Sequence, residues 1–302
     1  MAGSVPILLP ESFGAGSMYY VIGQATRGMN AQVSEQVVID FSRLKFIEPI
    51  GVVILSNLIE YLARAGIPTA LAGVNFKSTA AVAYLDDSDF FKRYIGRPLR
   101  EWARARDTCL PLTMVSNAQA VGYLHSTLIP WLAISLNTSE ESLATVRICL
   151  DEVFSNINFH SGVDYGCLHI QHFPQSKEVQ IAISDFGVGI PANVRKVRPE
   201  LNDSVALALA CEEGFTTQSN VKNRGAGLAT LIRYLTLKDR GKVWIVSGEA
   251  NLSAIHDNAA KKSKVTSRTV KGFYPGTLVR ITLKQDSIRD LATDVQSEEF
   301  SW

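Results

Sequence analysis

The sequence predicts an α/β protein made of two domains. Its 302 residues are enough for two hydrophobic cores. A strand, helix, strand pattern near the amino terminus and a second set of strands and amphipathic helices in the other half both favour sheets covered by helices. We expect residues 1–105 to form the first domain, 106–124 a linker, 125–285 the second domain and 286–302 an acidic tail.

The composition is typical of a soluble globular protein. A formal charge of +1, with 20% charged and 46% hydrophobic residues, excludes a disordered chain and a generally basic nucleic-acid binder. Glu11 precedes any long apolar segment and no apolar run reaches membrane-spanning length, so we expect a cytoplasmic protein without a signal peptide or membrane span. The cysteines have no metal-ligand spacing and are expected to be reduced packing residues: Cys109, Cys149, Cys167 and Cys211.

The amino-terminal half contains a βαβ pattern. The run VVIDF from residue 37 predicts a strand, VVILSNLIEYLARAG predicts a helix, and IPTALAGV predicts the next strand. Gly66 and Pro68 are a helix stop signal. Four apolar residues of the helix fall on one face: Leu55, Leu58, Ile59 and Leu62.

This βαβ pattern resembles the centre of a STAS domain, the fold of anti-sigma factor antagonists, over roughly residues 20 to 100. Regulatory members of that family carry a phosphorylatable serine at the turn into the helix. This chain has Glu48, Pro49, Ile50 and Gly51 there. The resemblance therefore implies a domain that is not switched by phosphorylation at that turn, and leaves open a scaffold or dimerisation role beside a regulatory one.

A helix with an unusual polar edge is predicted around DEVFSNINFH, residues 151–160. Thr138 and Glu141 form a capping-box pattern before it. At steps of four, Glu152, Asn156 and His160 form a polar stripe, and the first two offer oxygen atoms that can hold a hydrated cation and a water. Taken alone, this stripe also fits a solvated helix edge, with a structural histidine. The apolar stripe beside it is Leu143, Val146, Leu150, Val153 and Ile157.

A strand that ends in a carboxylate is predicted at EVQIAISDFGVGIP, residues 178–191. Asp185 at its end suits the exocyclic amine of adenine, because a carboxylate accepts hydrogen bonds. Gly187 and Gly189 let the backbone approach a flat ring closely. The pattern D-x-G-x-G is also a common structural turn when it stands alone.

A glycine-containing loop is predicted before a helix in GFTTQSNVKNRGAGLATLIRYL, residues 214–235. Lys222 and Arg224 add positive charge, and Gly225 and Gly227 lead into the apolar helix. Such a loop favours phosphate, because free N–H groups and the helix dipole both attract an anion. It matches neither the Walker loop nor the Rossmann fingerprint, so a different nucleotide-binding fold is predicted.

These pieces, in this order and followed by GTLVRITL, resemble the GHKL ATPase superfamily over about residues 125–285. EVFSNINFHSG and DFGVGIP are most similar to the anti-sigma factor serine/threonine kinases. The resemblance implies a GHKL (Bergerat) α/β sandwich with a mixed sheet that binds ATP and Mg²⁺. The chain departs from the family at Ile157, where the family has alanine, and in a lid with one glycine fewer.

The resemblance also implies a role for each matching residue. Asn156 would bind Mg²⁺, and Glu152 would orient or deprotonate the attacking group. Asp185 would hold adenine, with Gly187 and Gly189 lining the pocket. The remaining nucleotide-binding residues would be Lys222, Arg224, Gly225 and Gly227 in the lid and Thr277 beside the adenine site.

Two classes of function remain open at this point. The chain would transfer the γ-phosphoryl group of ATP to a protein serine/threonine or to water, or it would be an ATP-dependent switch or scaffold that acts through a partner. A histidine kinase is not favoured, because no helical hairpin with a phosphoacceptor histidine precedes the ATPase region. A protein substrate or partner is expected, and the oligomeric state, a homodimer included, is left open.

A basic segment near the carboxyl terminus is predicted to be a solvated loop and not a nucleic-acid site. No aromatic residues are interleaved with its charges, so no nucleic-acid partner is expected. Its basic residues are Lys261, Lys262, Lys264, Arg268 and Lys271. We also expect residues 1–105 to be dispensable for nucleotide binding if the two domains are separate.

Overall fold

The protein is an α/β structure in which strands and helices alternate along the chain. The computed structural model describes residues 4–30, 36–74, 79–215, 227–238 and 240–288. The strands are β1 (Ser4–Leu8), β2 (Ser12–Phe13), β3 (Gln36–Asp40), β4 (Phe46–Ile47), β5 (Thr69–Ala72), β6 (Cys109–Ser116), β7 (Tyr165–Phe173), β8 (Glu178–Asp185), β9 (Lys242–Asp257) and β10 (Lys262–Lys284). The α-helices are α1 (Met18–Asn30), α2 (Pro49–Arg64), α3 (Ala80–Asp87), α4 (Phe90–Ile95), α5 (Asn117–Tyr123), α6 (Ile129–Leu136), α7 (Ala144–His160), α8 (Ile190–Arg195), α9 (Asp203–Ala210) and α10 (Gly227–Arg233).

The amino-terminal part contains the predicted βαβ unit. Strands β1, β3 and β5 form a parallel sheet in that order, and α2 connects β3 to β5. The chain also passes from β1 through α1 to β3, which makes a second unit of the same kind. We call the elements from β1 to α4 the N-terminal layer.

The other part is built on a five-stranded sheet with the order β6-β7-β8-β10-β9. Every described strand pair in it is antiparallel. The prediction of a mixed sheet is therefore wrong for the described residues. The reason lies in the connections: short turns join β7 to β8 and β9 to β10, and such turns reverse the strand direction.

The basic segment is not a loop but the start of β10. Lys262 to Thr269 pair with β9 in an antiparallel hairpin, and Lys261 occupies its turn with a positive φ. The side chains of the five basic residues are nevertheless exposed, as predicted.

The two faces of the five-stranded sheet lie in two different hydrophobic cores. Leu168, Ile181 and Ile281 point to one core, which helices α5 to α7 and α9 to α10 complete. Residues on the opposite face of the sheet, such as Cys167 and Ala182, pack with the N-terminal layer in the other core. This division follows the alternation of side chains along a strand.

Helix α2 lies between the two sheets. It packs on β7 and β8 on one side and on β5 on the other. Consequently every residue from Pro49 to Ile59 is buried, and not only the predicted stripe. Such a helix is apolar all round, which is the pattern of a helix enclosed by other elements.

Buried polar contacts also join the N-terminal layer to the sheet. The hydroxyl of Tyr84 on α3 lies 2.6 Å from Nε2 of His169 on β7. The thiol of Cys167 donates to Oδ1 of Asn57 on α2 over 2.8 Å. Burial lowers the pKa of His169 to about 3, so the histidine stays neutral in this contact.

Two predicted boundaries differ from the structure. Residues 106–124, predicted as a linker, contain β6 at the edge of the sheet and helix α5. The capping box at Thr138 and Glu141 does not form, because the N–H of Thr138 still donates to Ala133 at the end of α6. Ser139 instead accepts from the N–H of Ser142 in the single turn that precedes α7.

Within the described ranges, no helix is both long and apolar enough to cross a membrane.

Candidate functional site

Helix α7 carries the first two candidate residues, Glu152 and Asn156, one turn apart. The predicted apolar stripe of this helix is buried in the core, which fixes both side chains at the edge of the buried face. Glu152 is half-buried, and burial raises the pKa of its carboxyl group. The amide nitrogen Nδ2 of Asn156 is buried and has no hydrogen-bond partner among the described residues.

The first residue of α10 lies against the carboxylate of Glu152. A Cβ atom added to Gly227 would overlap Oε1 of Glu152, so a larger residue there would require the glutamate side chain to move. Helices α7 and α10 also pack together through buried residues such as Val153 and Leu231. The structure therefore brings the predicted glycine of the lid to the predicted catalytic residue.

Asp185 lies at the end of β8, as predicted, and is only 2% exposed. Its Oδ1 accepts the N–H of Gly187 over 2.8 Å. Burial raises the pKa of Asp185 to about 7, although the backbone N–H groups of Gly187 and Thr277 and the charge of Arg64 act in the opposite direction. A buried carboxylate with unused acceptor capacity is suited to an amine donor.

Two residues that the sequence analysis missed, Gly276 and Ser247, complete the surroundings of Asp185. A Cβ atom on Gly276 would stand 2.6 Å from Oδ1 of Asp185, and Gly276 has a φ of 76°. The hydroxyl of Ser247 donates to the carbonyl of Gly276 over 2.6 Å and accepts the N–H of Ile190 over 2.9 Å. Ser247 thereby ties β9 to the turn that contains Gly189, where a Cβ would stand 2.9 Å from the same hydroxyl.

Thr277 is the direct cross-strand neighbour of Asp185 in the β8–β10 pair. Its hydroxyl lies 3.4 Å from that of Ser247. Thr277 thus lies beside Asp185, and Ser247 belongs to the strand pattern GKVWIVSG, which can be read from the sequence.

The loop after Asp185 is joined to the carboxyl-terminal end of α7. The N–H of Val188 donates to the carbonyl of Ser161 over 2.7 Å. A Cβ atom on Gly187 would overlap that carbonyl, so glycine is required for the contact. Ser161 follows Glu152 by nine residues, which places them roughly 14 Å apart along the helix axis.

The isoleucine at position 157 packs against a glycine on the neighbouring strand β7. Ile157 is buried, and its Cδ1 atom stands 2.6 Å from the position that a Cβ of Gly166 would take. The larger side chain therefore occupies the space that the glycine on β7 leaves open.

Three predicted residues, Lys222, Arg224 and Gly225, lie outside the described residues. For His160 the helical backbone is described, but not the side chain. Among the described residues, no group of three or more His, Cys, Asp or Glu side chains could hold a metal ion by itself. A cation at this site would need oxygen atoms from a ligand beside those of Asn156 and Glu152.

Comparison with known proteins finds distant similarity to solved structures alone. No protein-family model matches the sequence, and no curated protein matches it. The ATPase region of Saccharomyces cerevisiae topoisomerase II is 10% identical, with a TM-score of 0.23 over 38% of this chain and 31% of that one. The N-terminal domain of a DNA repair protein is 14% identical, with a TM-score of 0.17 over 39% and 32% of the two chains. This chain thus spans about a third of the length of these structures, and similarity at this level does not assign a family.

Proposed function

We propose that the chain is a Mg-ATP-binding regulatory protein of the GHKL superfamily that transfers the γ-phosphoryl group to a protein serine/threonine or to water. The observation that carries the proposal is the carboxylate of Asp185. It is buried at the end of β8, enclosed by the backbone of Gly187 and Gly276, and its turn is joined through Ser161 to the helix that carries Glu152 and Asn156.

Adenine recognition at Asp185 follows from the chemistry of this carboxylate. One oxygen already accepts the N–H of Gly187, and the glycines at 187 and 276 let the backbone close around the carboxylate. An exocyclic amine that donates to Asp185 would offset part of the cost of burying its charge.

The phosphate end of the nucleotide would lie towards Glu152 and Asn156. Counted back along α7 from the adenine end at Ser161, Asn156 lies about one and a half turns away and Glu152 about two and a half, a direction that a nucleotide extended along the helix can follow. The unpartnered Nδ2 of Asn156 fits a ligand that offers an acceptor, such as a phosphate oxygen, because a buried donor without a partner is costly. Mg²⁺ bound there through the Asn156 oxygen would neutralise charge on the phosphates.

Glu152 would orient or deprotonate the attacking hydroxyl or water. Its raised pKa makes it a stronger base than an exposed glutamate, and the half-buried position excludes part of the water. General-base catalysis of this kind contributes roughly 10²- to 10⁴-fold, and positioning and charge neutralisation would supply the rest.

A nucleotide switch is the second candidate, and one observation favours it. The residue after Asp185, Phe186, is buried in the core that includes the N-terminal layer. Nucleotide binding at Asp185 would therefore change the packing of that layer, even if hydrolysis is slow or absent. Under either function we expect the partner to be a protein and not a nucleic acid. We also expect this chain to act in the cytoplasm.

Calorimetry with Mg-ATP on the wild type and on the Asp185→Asn variant tests the site. We expect the wild type to bind and the variant to bind much more weakly, since the amide replaces an acceptor by a group that also donates. Equal affinity of the two proteins would refute the adenine assignment. Labelled ATP would then separate the two functions: free phosphate or phosphoprotein supports the enzyme, and bound but unchanged ATP supports the switch.

A further inference from the structure

Phe186, between Asp185 and Gly187, connects the candidate site to the N-terminal layer. Its side chain is 5% exposed and belongs to the core that α2 shares with the sheet. Its ring lies edge-on to Tyr61 of α2, with 6.1 Å between the ring centroids, and edge-on to Tyr274 of β10, at 5.4 Å. The ring of Phe186 is thus held between α2 and the sheet.

A second contact from α2 reaches the backbone of the same residue. Nη2 of Arg64, in the last turn of the helix, donates to the carbonyl of Phe186 over 3.5 Å. The guanidinium carbon also lies 5.7 Å from the ring centroid of Tyr165 on β7. One helical turn of α2 therefore contacts both the side chain and the carbonyl of the residue that follows Asp185.

We propose that Tyr61 and Arg64 are positioning residues for the nucleotide site: by holding Phe186 they fix the Asp185 carboxylate, so that the packing of the N-terminal layer sets nucleotide affinity. The inference rests on the proposed function and adds to it a way in which nucleotide affinity is regulated. The carbonyl of Phe186 lies in the same rigid peptide plane as the N–H of Gly187, which donates to Oδ1 of Asp185, so a shift of that carbonyl moves the donor that holds the carboxylate. Interior packing transmits such a shift because it leaves few voids.

The opposite end of α2 is also attached to the sheet. Oε2 of Glu48, just before the helix, lies 3.7 Å from Nη1 of Arg280 on β10, and that guanidinium lies 4.7 Å from the ring centroid of Trp244. The helix is therefore fixed at both ends. A partner that moves α2 would change the contacts at Phe186 and, through them, the site.

The charge of Arg64 gives this inference a second readout. The groups that face Asp185 from the packed elements are Arg64 of α2, Cys167 of β7 and Tyr274 of β10. Burial raises the pKa of Cys167 to about 12 and that of Tyr274 well above its usual value, so both are neutral at neutral pH. Of these three groups, Arg64 is therefore the one whose charge lowers the pKa of Asp185.

The test compares two variants with two matched controls. Tyr61→Leu and Arg64→Gln remove the contacts, while Tyr20→Leu and Arg97→Gln make the same changes at exposed positions, the first in the N-terminal layer and the second just after it. We expect the first two to weaken Mg-ATP binding by about three- to tenfold, the effect of one aromatic or charge-assisted contact. The controls should bind like the wild type.

The Asp185 carboxyl, followed by NMR in the nucleotide-free protein, should titrate at higher pH in Arg64→Gln than in the wild type or Arg97→Gln. Tyr61→Phe, which keeps the ring, should retain wild-type affinity and covers the case in which Tyr61→Leu fails to fold. Wild-type affinity and an unchanged Asp185 titration in Arg64→Gln would overturn the inference. Failure of the wild type to bind ATP would instead overturn the proposed function, and the titration would still decide whether Arg64 acts on Asp185.

Discussion

Gly276 lies so close to Asp185 that no side chain fits between them. A Cβ atom on Gly276 would stand 2.6 Å from Oδ1 of Asp185, and the residue has a φ of 76°. The position therefore excludes other residues for two separate reasons, a collision with the carboxylate and a backbone conformation that L-residues avoid.

We expect Gly276→Ala to lower both stability and ATP affinity. The positive φ alone costs about 1–2 kcal/mol, and the collision adds to it because the neighbouring atoms belong to the backbone and to Asp185. Gly66→Ala is the matched control, since Gly66 has a φ of 70° with no atom within 4 Å of an added Cβ. Chemical denaturation and calorimetry would measure both effects, and equal losses in the two variants would contradict the proposed contact.

The raised pKa of Asp185 predicts a stability that falls as the pH rises. The folded protein holds this proton up to a pKa of about 7, whereas the unfolded chain releases it near the ordinary aspartate pKa of 3.8. Stability from this group is therefore fully present below pH 3.8 and is lost as the pH approaches 7. We expect Asp185→Asn, which carries no charge at any pH, to unfold at higher denaturant concentration than the wild type above neutral pH.

The measurement is urea unfolding of both proteins at acidic and at alkaline pH. At acidic pH the two midpoints should converge, because Asp185 is then neutral as well. A difference that is the same at both pH values would mean that the substitution acts through packing and not through the charge. If the Asp185→Asn variant is more stable than the wild type but binds ATP more weakly, then Asp185 serves nucleotide binding at the expense of stability.

The sequence predicted the parts of this structure that depend on local pattern. The strand that ends at Asp185 and the buried stripe of α7 follow from the alternation of residues within short windows. The βαβ unit around α2 follows from the same kind of signal. The sequence motifs pointed to the glycines at 187, 189 and 227. At each of them an added Cβ would stand within 3 Å of a neighbouring atom.

The contacts between distant segments could not be predicted in this way. Ser247 and Gly276 meet the Asp185 turn only through strand pairing, which brings together residues far apart in the chain. The burial of both faces of α2 had a signal in its almost wholly apolar sequence, but the prediction of a single stripe overlooked it. The edge strand β6 was overlooked because arginines and prolines surround it.

The shared core predicts that the carboxyl-terminal part will not be soluble by itself. A chain truncated to begin near residue 110 would expose the apolar side chains that pack under the N-terminal layer: Cys167, Ala182, Phe186, Val246, Tyr274 and Leu278. A contiguous apolar patch of this kind promotes aggregation. Size-exclusion chromatography and binding of a hydrophobic dye would detect it, and a monomeric, ATP-binding truncation would restore the expectation that residues 1–105 are dispensable.

Glu152 and Asn156 should respond differently to substitution. Asn156→Ala removes an oxygen ligand, so we expect it to weaken ATP binding that depends on Mg²⁺. Glu152→Ala should leave binding nearly intact and abolish phosphoryl transfer, since the carboxylate acts on the attacking oxygen. Calorimetry with and without Mg²⁺ and a labelled-ATP assay separate the two effects. If neither variant differs from the wild type, the stripe on α7 is a solvated helix edge and the enzyme assignment fails.

Ile157 and Gly166 should behave as a coupled pair. Gly166→Ala would place a Cβ 2.6 Å from Cδ1 of Ile157, an overpacking that costs about 1–3 kcal/mol. Ile157→Val removes that Cδ1 atom and by itself should cost about 0.5–1.5 kcal/mol, because it leaves a small cavity. In the double variant the new Cβ takes the space of the deleted methyl group, so its loss of stability should be smaller than the sum of the two single losses. Denaturant unfolding of the four proteins gives the coupling energy directly. Additive losses would mean that the backbone shifts to relieve the collision, and that the residue at 157 does not depend on the glycine at 166.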